Sequence, residues 1–393
     1  MAAVTPFRVL CGAGMCAIFS STLAKSPVLP LYAAYLHATP ADIGFIAAAS
    51  TVTGIVVSAP AGGLSDLWGR RRVILLAMAV FALAPFLYLW VDNVASLVAV
   101  RVFHGLATAI FGPVALALVA DLYSRERGEK MGWYSSSTLA GRSAAPLVGG
   151  ALLGAFTLAS PSGFRAVYWA CGVAGVVALL LALRLPTPTP TAAAPRRAAF
   201  RQGLREVLSH RGILFTSSAE AVQFLAYGAM EAFLPLYARS LGLDAYRMGL
   251  LLGLQVLVVA LTKPVMGRRA DRRGRRQQIV LGLLVGAAGL VLLPLARSFW
   301  ALLPISLVFG LTVATVTSAT AALVADLARA RSHGMALGTM SAIMDVGQAL
   351  GPVVTGLLIT AWGYAVGFGV VAAALALVGL AFPLVVRPEP TGA

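Results

Sequence analysis

Apolar residues run along this chain in long unbroken stretches, without the alternation of a half-buried strand or the stripe of a surface helix. The runs fall near 7–35, 42–64, 73–91, 95–123, 132–156, 165–184, 211–239, 245–267, 277–296, 299–326, 334–361 and 363–386. A helix needs about 20 apolar residues to cross the hydrocarbon core of a bilayer. Backbone N–H and C=O groups in lipid have no water to bond, so each run predicts a helix that satisfies its own backbone. Barrel strands would appear as short alternating segments instead. The expected fold is therefore an all-α membrane protein with twelve transmembrane helices.

Basic residues collect in the short breaks between the runs. An even number of spans puts both termini on one side, and that side holds twenty-two Arg and Lys residues against four on the other. This bias predicts a multi-pass protein of a cell membrane, of the bacterial inner-membrane type, with both termini in the cytoplasm. The longest break, 185–210, opens Pro-Thr-Pro-Thr-Pro and continues through Ala-Pro-Arg-Arg, which reads as an extended basic linker. Its second part, from Phe200 to Leu208, has the composition of a short helix lying on the membrane surface. The linker divides the chain into an N-terminal bundle, 1–184, and a C-terminal bundle, 211–393.

Composition closes off the alternatives. With 59% hydrophobic and 11% charged residues, too little polar material remains to clothe a water-soluble enzyme. The net charge of +16 would suggest a nucleic-acid partner in a soluble chain, but here it sits in loops and reports topology. Cys11, Cys16 and Cys171 lie inside apolar runs without pairing or metal-ligand spacing and read as small core residues. The first run is too long for a signal-peptide core and stays as the first helix. No Walker motif, catalytic triad or zinc spacing occurs, so neither ATP, a cofactor nor a metal is expected, and an ion or solute gradient must drive any transport.

The two halves repeat each other. Shifted by 205 residues, Pro30 meets Pro235, each within Leu-Pro-Leu-Tyr-Ala, and Gly62, Asp66, Gly69 and Arg70 meet Gly267, Asp271, Gly274 and Arg275. Gly105 meets Gly310 and Asp121 meets Asp326. With one inserted residue, Gly141, Pro146 and Gly150 meet Gly347, Pro352 and Gly356. Two parallel repeats of this kind predict a transporter built from two pseudo-symmetric six-helix bundles.

On these motifs the whole chain resembles the major facilitator superfamily. The break after the second helix, Gly62-Gly-Leu-Ser-Asp66-Leu-Trp-Gly69-Arg70-Arg71-Arg72, is similar to the family's G-x-x-x-D-R-x-G-R-R signature, with Leu67 in place of Arg. The equivalent break, Gly267 to Arg276, matches it fully. The resemblance implies a conformational latch in which Arg70 and Arg275 pair with acids at the ends of helices 4 and 10, positions that Asp121 and Asp326 occupy. Asp66 and Asp271 would then face the positive end of a helix from the opposite half; alternatively these loops serve insertion topology alone. Helix 5, through Gly141, Pro146 and Gly150, is similar to the family's antiporter signature, with Ala145 replacing one Gly; helix 11 carries Gly347, Gly351, Pro352 and Gly356. Small residues let helices approach closely and Pro supplies a bend. The resemblance favours export by antiport, and ordinary close packing explains the same pattern.

Ionisable residues within spans are the first candidates for ion and substrate sites, because burying them in lipid is costly. Candidates for proton coupling are Glu220 and Glu231 in helix 7, Asp345 in helix 11 and Arg101 in helix 4, the last with a structural reading open beside it. Candidates for the substrate cavity are Lys25, His104, Arg142, Phe19, Phe224 and Tyr227. The repeat sets Lys25 and Glu231 at nearly the same depth, so a pair between them is one expectation and proton carriage by Glu231 another. Tyr32, Tyr35, Phe233 and Tyr237 belong to the same aromatic group on helices 1 and 7, as an apolar wall or as plain packing. The combined reading is proton-coupled efflux of a small amphiphilic compound by alternating access, resembling the multidrug-efflux branch of the family. A carrier of an organic anion or zwitterion, contacting Lys25 and Arg142, is the alternative, and a lipid flippase a more distant one. The partners expected are a small-molecule substrate, protons and the lipid bilayer; the protein is expected to be a monomer.

Overall fold

The computed structural model describes residues 6–123, 126–156, 158, 160–186, 205, 207–328 and 333–386. Among these the chain is helical throughout. The first apolar run breaks at 24–27 into α1 (Pro6–Leu23) and α2 (Val28–Tyr35). There follow α3 (Pro40–Trp68), α4 (Arg70–Leu87), α5 (Val94–Leu122), α6 (Arg127–Gly154) and α7 (Pro161–Ala182). The second half has α8 (Arg211–Ser240), α9 (Ala245–Arg273), α10 (Arg275–Leu292), α11 (Phe299–Leu327) and α12 (His333–Val385). Most of the expected linker lies outside the described residues, as do 200–204 and 206 of the surface helix placed in it; 205, 207 and 208 are helical.

Among the described residues, nine helices are long and apolar enough to cross a membrane. The difference from twelve has identifiable sources. The 53 residues of α12 count once, although Gly363 inside it (φ 82°, ψ 175°) is not helical and separates two arms. The other two runs, α6 and α8, carry Arg142, Glu220 and Glu231 together with many small polar residues, which lower their hydropathy. Large apolar side chains such as Val56, Leu384 and Trp300 stand exposed, as suits a surface facing lipid.

The helix ends show the same repeat as the sequence. Thr39 caps α3, its hydroxyl accepting from the Asp42 N–H, and Asp244, 205 residues on, caps α9 by accepting from the Arg247 N–H at 2.8 Å. Asn93 caps α5 and Ser298 caps α11, again 205 apart. Each cap satisfies a backbone donor that the helix leaves free. Gly69 and Gly274 join α3 to α4 and α9 to α10 at φ 89° and 94°, a left-handed region that any residue with a Cβ enters at a cost.

By contact the chain forms two units, Met1–Ala194 with Pro235–Gly253, and Pro195–Leu234 with Leu254–Ala393. The boundary differs from a division at the linker, because the end of α8 and the start of α9 pack with the first unit. A Cβ on Gly249 would stand 2.7 Å from the Gly150 Cα, so the backbones of α9 and α6 touch there. Inside the first unit α3 packs on α5, α1 on α6, and α4 on both α5 and α7. Inside the second unit α10 packs on α11 and α12. The α9–α11 crossing at Gly310 and Gln255 repeats the α3–α5 crossing at Gly105 and Ser50.

Candidate functional site

The first unit holds a buried polar cluster around Arg101. Its position eight residues into α5 puts the guanidinium inside the bundle, 2% exposed, where it donates to the Ser50 hydroxyl of α3. A second donor reaches the Tyr88 hydroxyl at 3.5 Å, and that hydroxyl lies 3.3 Å from His104 Nδ1. Tyr88 in turn stacks on Tyr168 with centroids 4.4 Å apart. Arg101 Nε, His104 Nε2 and the Tyr168 hydroxyl have no partner among the described residues. A cation this deep survives because neutral acceptors surround it. Arg101 and His104 are thus brought together through Tyr88, a residue without any sequence signal beyond its aromatic ring.

The second unit holds a buried acid. Glu220 is 4% exposed on α8, and the Thr320 hydroxyl of α11 donates to its carboxylate. Thr216, Glu220 and Gln223 follow one another at i, i+4 and i+7, so they share one face of α8. All three are buried; the Thr216 hydroxyl and both side-chain polar atoms of Gln223 lack partners among the described residues. So does the Thr317 hydroxyl, one turn before Thr320. Glu220 takes part in no ion pair among the described residues. Buried polar atoms without partners are costly, and waters or a travelling ion commonly supply them.

Ion pairs fasten the two repeated turns. Arg70 Nε lies 3.1 Å from Asp121 Oδ2, and another of its donors reaches the Ser65 hydroxyl. In the second unit Arg275 pairs with Asp326, donates to the Ala322 carbonyl at 2.6 Å and lies 3.2 Å from Asp271. Each turn is thereby tied to the end of the helix expected for it, α5 and α11. The side chain of Asp66 lies outside the described residues. Gly62 and Gly267 have open space where a Cβ would project.

The remaining candidates are placed as follows. Lys25 sits in the break between α1 and α2, and Phe19, Glu231 and Asp345 are half-buried on α1, α8 and α12. Arg142 is exposed on α6, and Phe224 packs against Tyr227 with centroids 5.8 Å apart. Tyr32 serves packing: it is buried against Phe164 and Tyr168, and its hydroxyl donates to the Val91 carbonyl at 2.9 Å. Phe233 is fully buried as well. The glycine motif marks backbone crossings. Gly141 faces the Met15 carbonyl of α1; Gly347 and Gly351 face the Ala221 and Leu225 carbonyls of α8. Pro352 lies against Gly228, and Pro146 against Gly249 through its carbonyl. Gly356 accepts from the Thr360 hydroxyl at 2.9 Å. Sequence reasoning missed Ser50, Tyr88, Gln255 and Thr320, since a neutral polar residue in an apolar run gives little signal. The 205-residue register sets 101 against 306 and 50 against 255, but it does not say that the members of each pair touch.

Comparison with known proteins identifies the fold. The Major Facilitator Superfamily family model matches residues 10–254 and 218–393. Multidrug resistance protein 2 of Bacillus subtilis is 22% identical over 336 residues, 84% of this chain and 83% of that protein. Multidrug resistance protein MdtG of Enterobacter lignolyticus is 32% identical over 169 residues, 42% of this chain and 40% of that protein. The crystal structure of a bacterial homolog of the human lysosomal transporter Spinster matches with a TM-score of 0.83 at 17% identity, covering 98% of both chains.

Proposed function

Since the chain belongs to the major facilitator superfamily, a family of membrane transporters, we propose that it exports a small amphiphilic compound in exchange for protons, with Glu220 as the acid that carries the proton. The observation behind this reading is the buried carboxylate on α8, bonded to Thr320, outside any ion pair among the described residues, and flanked by unpartnered polar atoms. Glu220 lies about nine residues into α8, about 13.5 Å along its axis, near the bilayer midplane where such folds bind substrate and ion. A carboxylate that alternates between a dry and a wetted setting takes up and releases a proton as the protein changes its opening. The sequence similarity to one multidrug resistance protein along most of the chain, and to another over less than half of it, supports export of organic compounds. In this reading twelve helices cross the membrane, the termini lie in the cytoplasm, and the ion pairs at Arg70 and Arg275 act as latches between conformations.

The test uses proteoliposomes with an imposed proton gradient and candidate amphiphilic compounds. Active protein acidifies the lumen or the medium as compound moves, and Glu220→Gln abolishes accumulation against a gradient while preserving downhill exchange of a neutral compound. Accumulation by Glu220→Gln with normal proton dependence would transfer the role to Glu231 or Asp345. Flux that never saturates and shows no counterflow would overturn carrier transport itself.

A further inference from the structure

The turn between α9 and α10 carries charge that the repeat does not require. Positions Gly63, Leu64, Leu67 and Trp68 of the first turn correspond to Arg268, Arg269, Arg272 and Arg273 of the second. The ion pairs at the two turns use Arg70 and Arg275, which both repeats share. Four additional arginines therefore serve neither the turn geometry nor the ties to α5 and α11. In the first turn two of these places expose apolar side chains, Leu67 at 83% and Trp68 at 57%, while Leu64 packs on the core and Gly63 has no side chain. Arg269, Arg273 and Arg276 take part in no ion pair among the described residues, whereas Asp271 and Asp326 are both engaged by Arg275.

Two grooves descend from this turn on either side of α10. One, of about 330 Å³, runs from Arg269 and Arg273 past Gln278 to Leu281, Val285 and Leu311. The other, of about 880 Å³, runs from Arg273 and Arg276 to Leu281 and Leu284. They share Arg273, Gly274, Gln277 and Leu281, so both open at the N-terminus of α10. The far walls are apolar and exposed, as with Leu281, Val285 and Leu311. At the head of the first groove, Gln278 is 6% exposed and donates from Nε2 to the Met266 and Thr315 carbonyls at 2.9 and 3.2 Å. Its Oε1 has no donor among the described residues.

We propose that this turn is a binding site for one anionic phospholipid with a hydroxylated head group, such as phosphatidylglycerol. Arg269 and Arg273 take the phosphate, the free N–H groups and positive end of α10 add to the attraction, and the acyl chains lie in the two grooves. A head-group hydroxyl donates to Gln278 Oε1. A free phosphate or a soluble phosphate ester would meet the arginines but leave both grooves empty. The lipid uses the whole site: its phosphate meets the arginines and its chains lie in the grooves, held there by packing rather than by transfer out of water. The site is separate from the buried acid of α8, and it stands whether or not that acid carries protons.

The experiment is an equilibrium titration of the full chain, stripped of lipid in a nonionic detergent, read by native mass spectrometry. Dioleoyl phosphatidylglycerol should bind as one tight equivalent, about tenfold more strongly than dioleoyl phosphatidylcholine. Arg269→Gln and Arg273→Gln should each weaken it about fivefold and together about twentyfold, by the loss of basic contacts to an anionic head group. Arg72→Gln, an exposed arginine of the first turn, should change nothing, and millimolar sn-glycerol 3-phosphate should fail to displace the lipid. Arg269→Gln, an exposed change near the end of α9, keeps the test available if Arg273→Gln does not fold. Equal retention of the two lipids, an unchanged double variant, or an equal loss in Arg72→Gln would overturn the site. Displacement by sn-glycerol 3-phosphate would overturn the lipid as its occupant.

Discussion

The hydroxyl of Ser306 donates to the side-chain oxygen of Gln255 at 3.0 Å, at the two positions that Arg101 and Ser50 fill in the first repeat. In both units the bond crosses from the tenth or fourth span to its neighbour, beside a glycine that brings the backbones together. The geometry and the direction of donation repeat while the donor changes, from a guanidinium in one unit to a hydroxyl in the other. Only the first unit buries a charge at this crossing, and only there does a histidine join through Tyr88.

A swap tests whether that crossing is modular. Arg101→Ser alone leaves Ser50 and Tyr88 short of a donor and should destabilise the protein by about 1–3 kcal/mol. Adding Ser50→Gln installs the pair of the second unit and should recover at least half of that loss. Thermal unfolding in detergent, run as a double-mutant cycle, reads the coupling directly. Strictly additive changes would mean that the two positions do not cooperate.

Glycine at the crossing is a matter of space. A Cβ on Gly105 would stand 2.8 Å from the Ser50 Cα, and one on Gly310 would stand 2.5 Å from the Gln255 carbonyl oxygen. Gly105→Ala and Gly310→Ala should each cost about 1–3 kcal/mol by forcing backbones apart. Gly62→Ala projects into open space and should leave the melting temperature within about 2 °C. Melting curves of the three variants decide the matter, and equal shifts would refute the argument from contact.

For the turns, the expectation separates stability from mechanism. The pairs at Asp121 and Asp326 are partly exposed, so Asp121→Asn and Asp326→Asn should each cost no more than about 1 kcal/mol of stability. If the pairs act as latches, the same changes shift which side of the protein admits water-soluble thiol reagents to cysteines placed along α1, α5, α8 and α11. Labelling rates that match the parent on both sides would reduce these pairs to local fasteners.

Thr320 provides a check on Glu220 that leaves the acid in place. Thr320→Val removes the hydroxyl that donates to the carboxylate and should slow proton-driven accumulation about three- to tenfold. Downhill exchange of a neutral compound, which Glu220→Gln preserves, should be unchanged by Thr320→Val in either background. An equal loss of downhill exchange in both backgrounds would show that Thr320 acts elsewhere.

The apolar runs, the Arg and Lys bias and the 205-residue repeat made the membrane class, the helical fold and the family legible from the chain alone. Lipid leaves a backbone few options, and long runs of apolar residues are unambiguous. The positions of Asp121, Asp326 and Glu220 were legible too, because a charge in or beside such a run is conspicuous. What those charges touch was not. Ser50, Tyr88, Thr320 and Gln255 are ordinary polar residues until a helix crossing brings a partner within 3.5 Å of them. Tertiary structure also decided that Tyr32 is a packing residue, that Pro235–Gly253 groups with the first unit, and that the extra arginines of the α9–α10 turn stand over two grooves. Each of these depends on which faces of separate helices meet, and that follows from side-chain shapes at positions far apart in the chain.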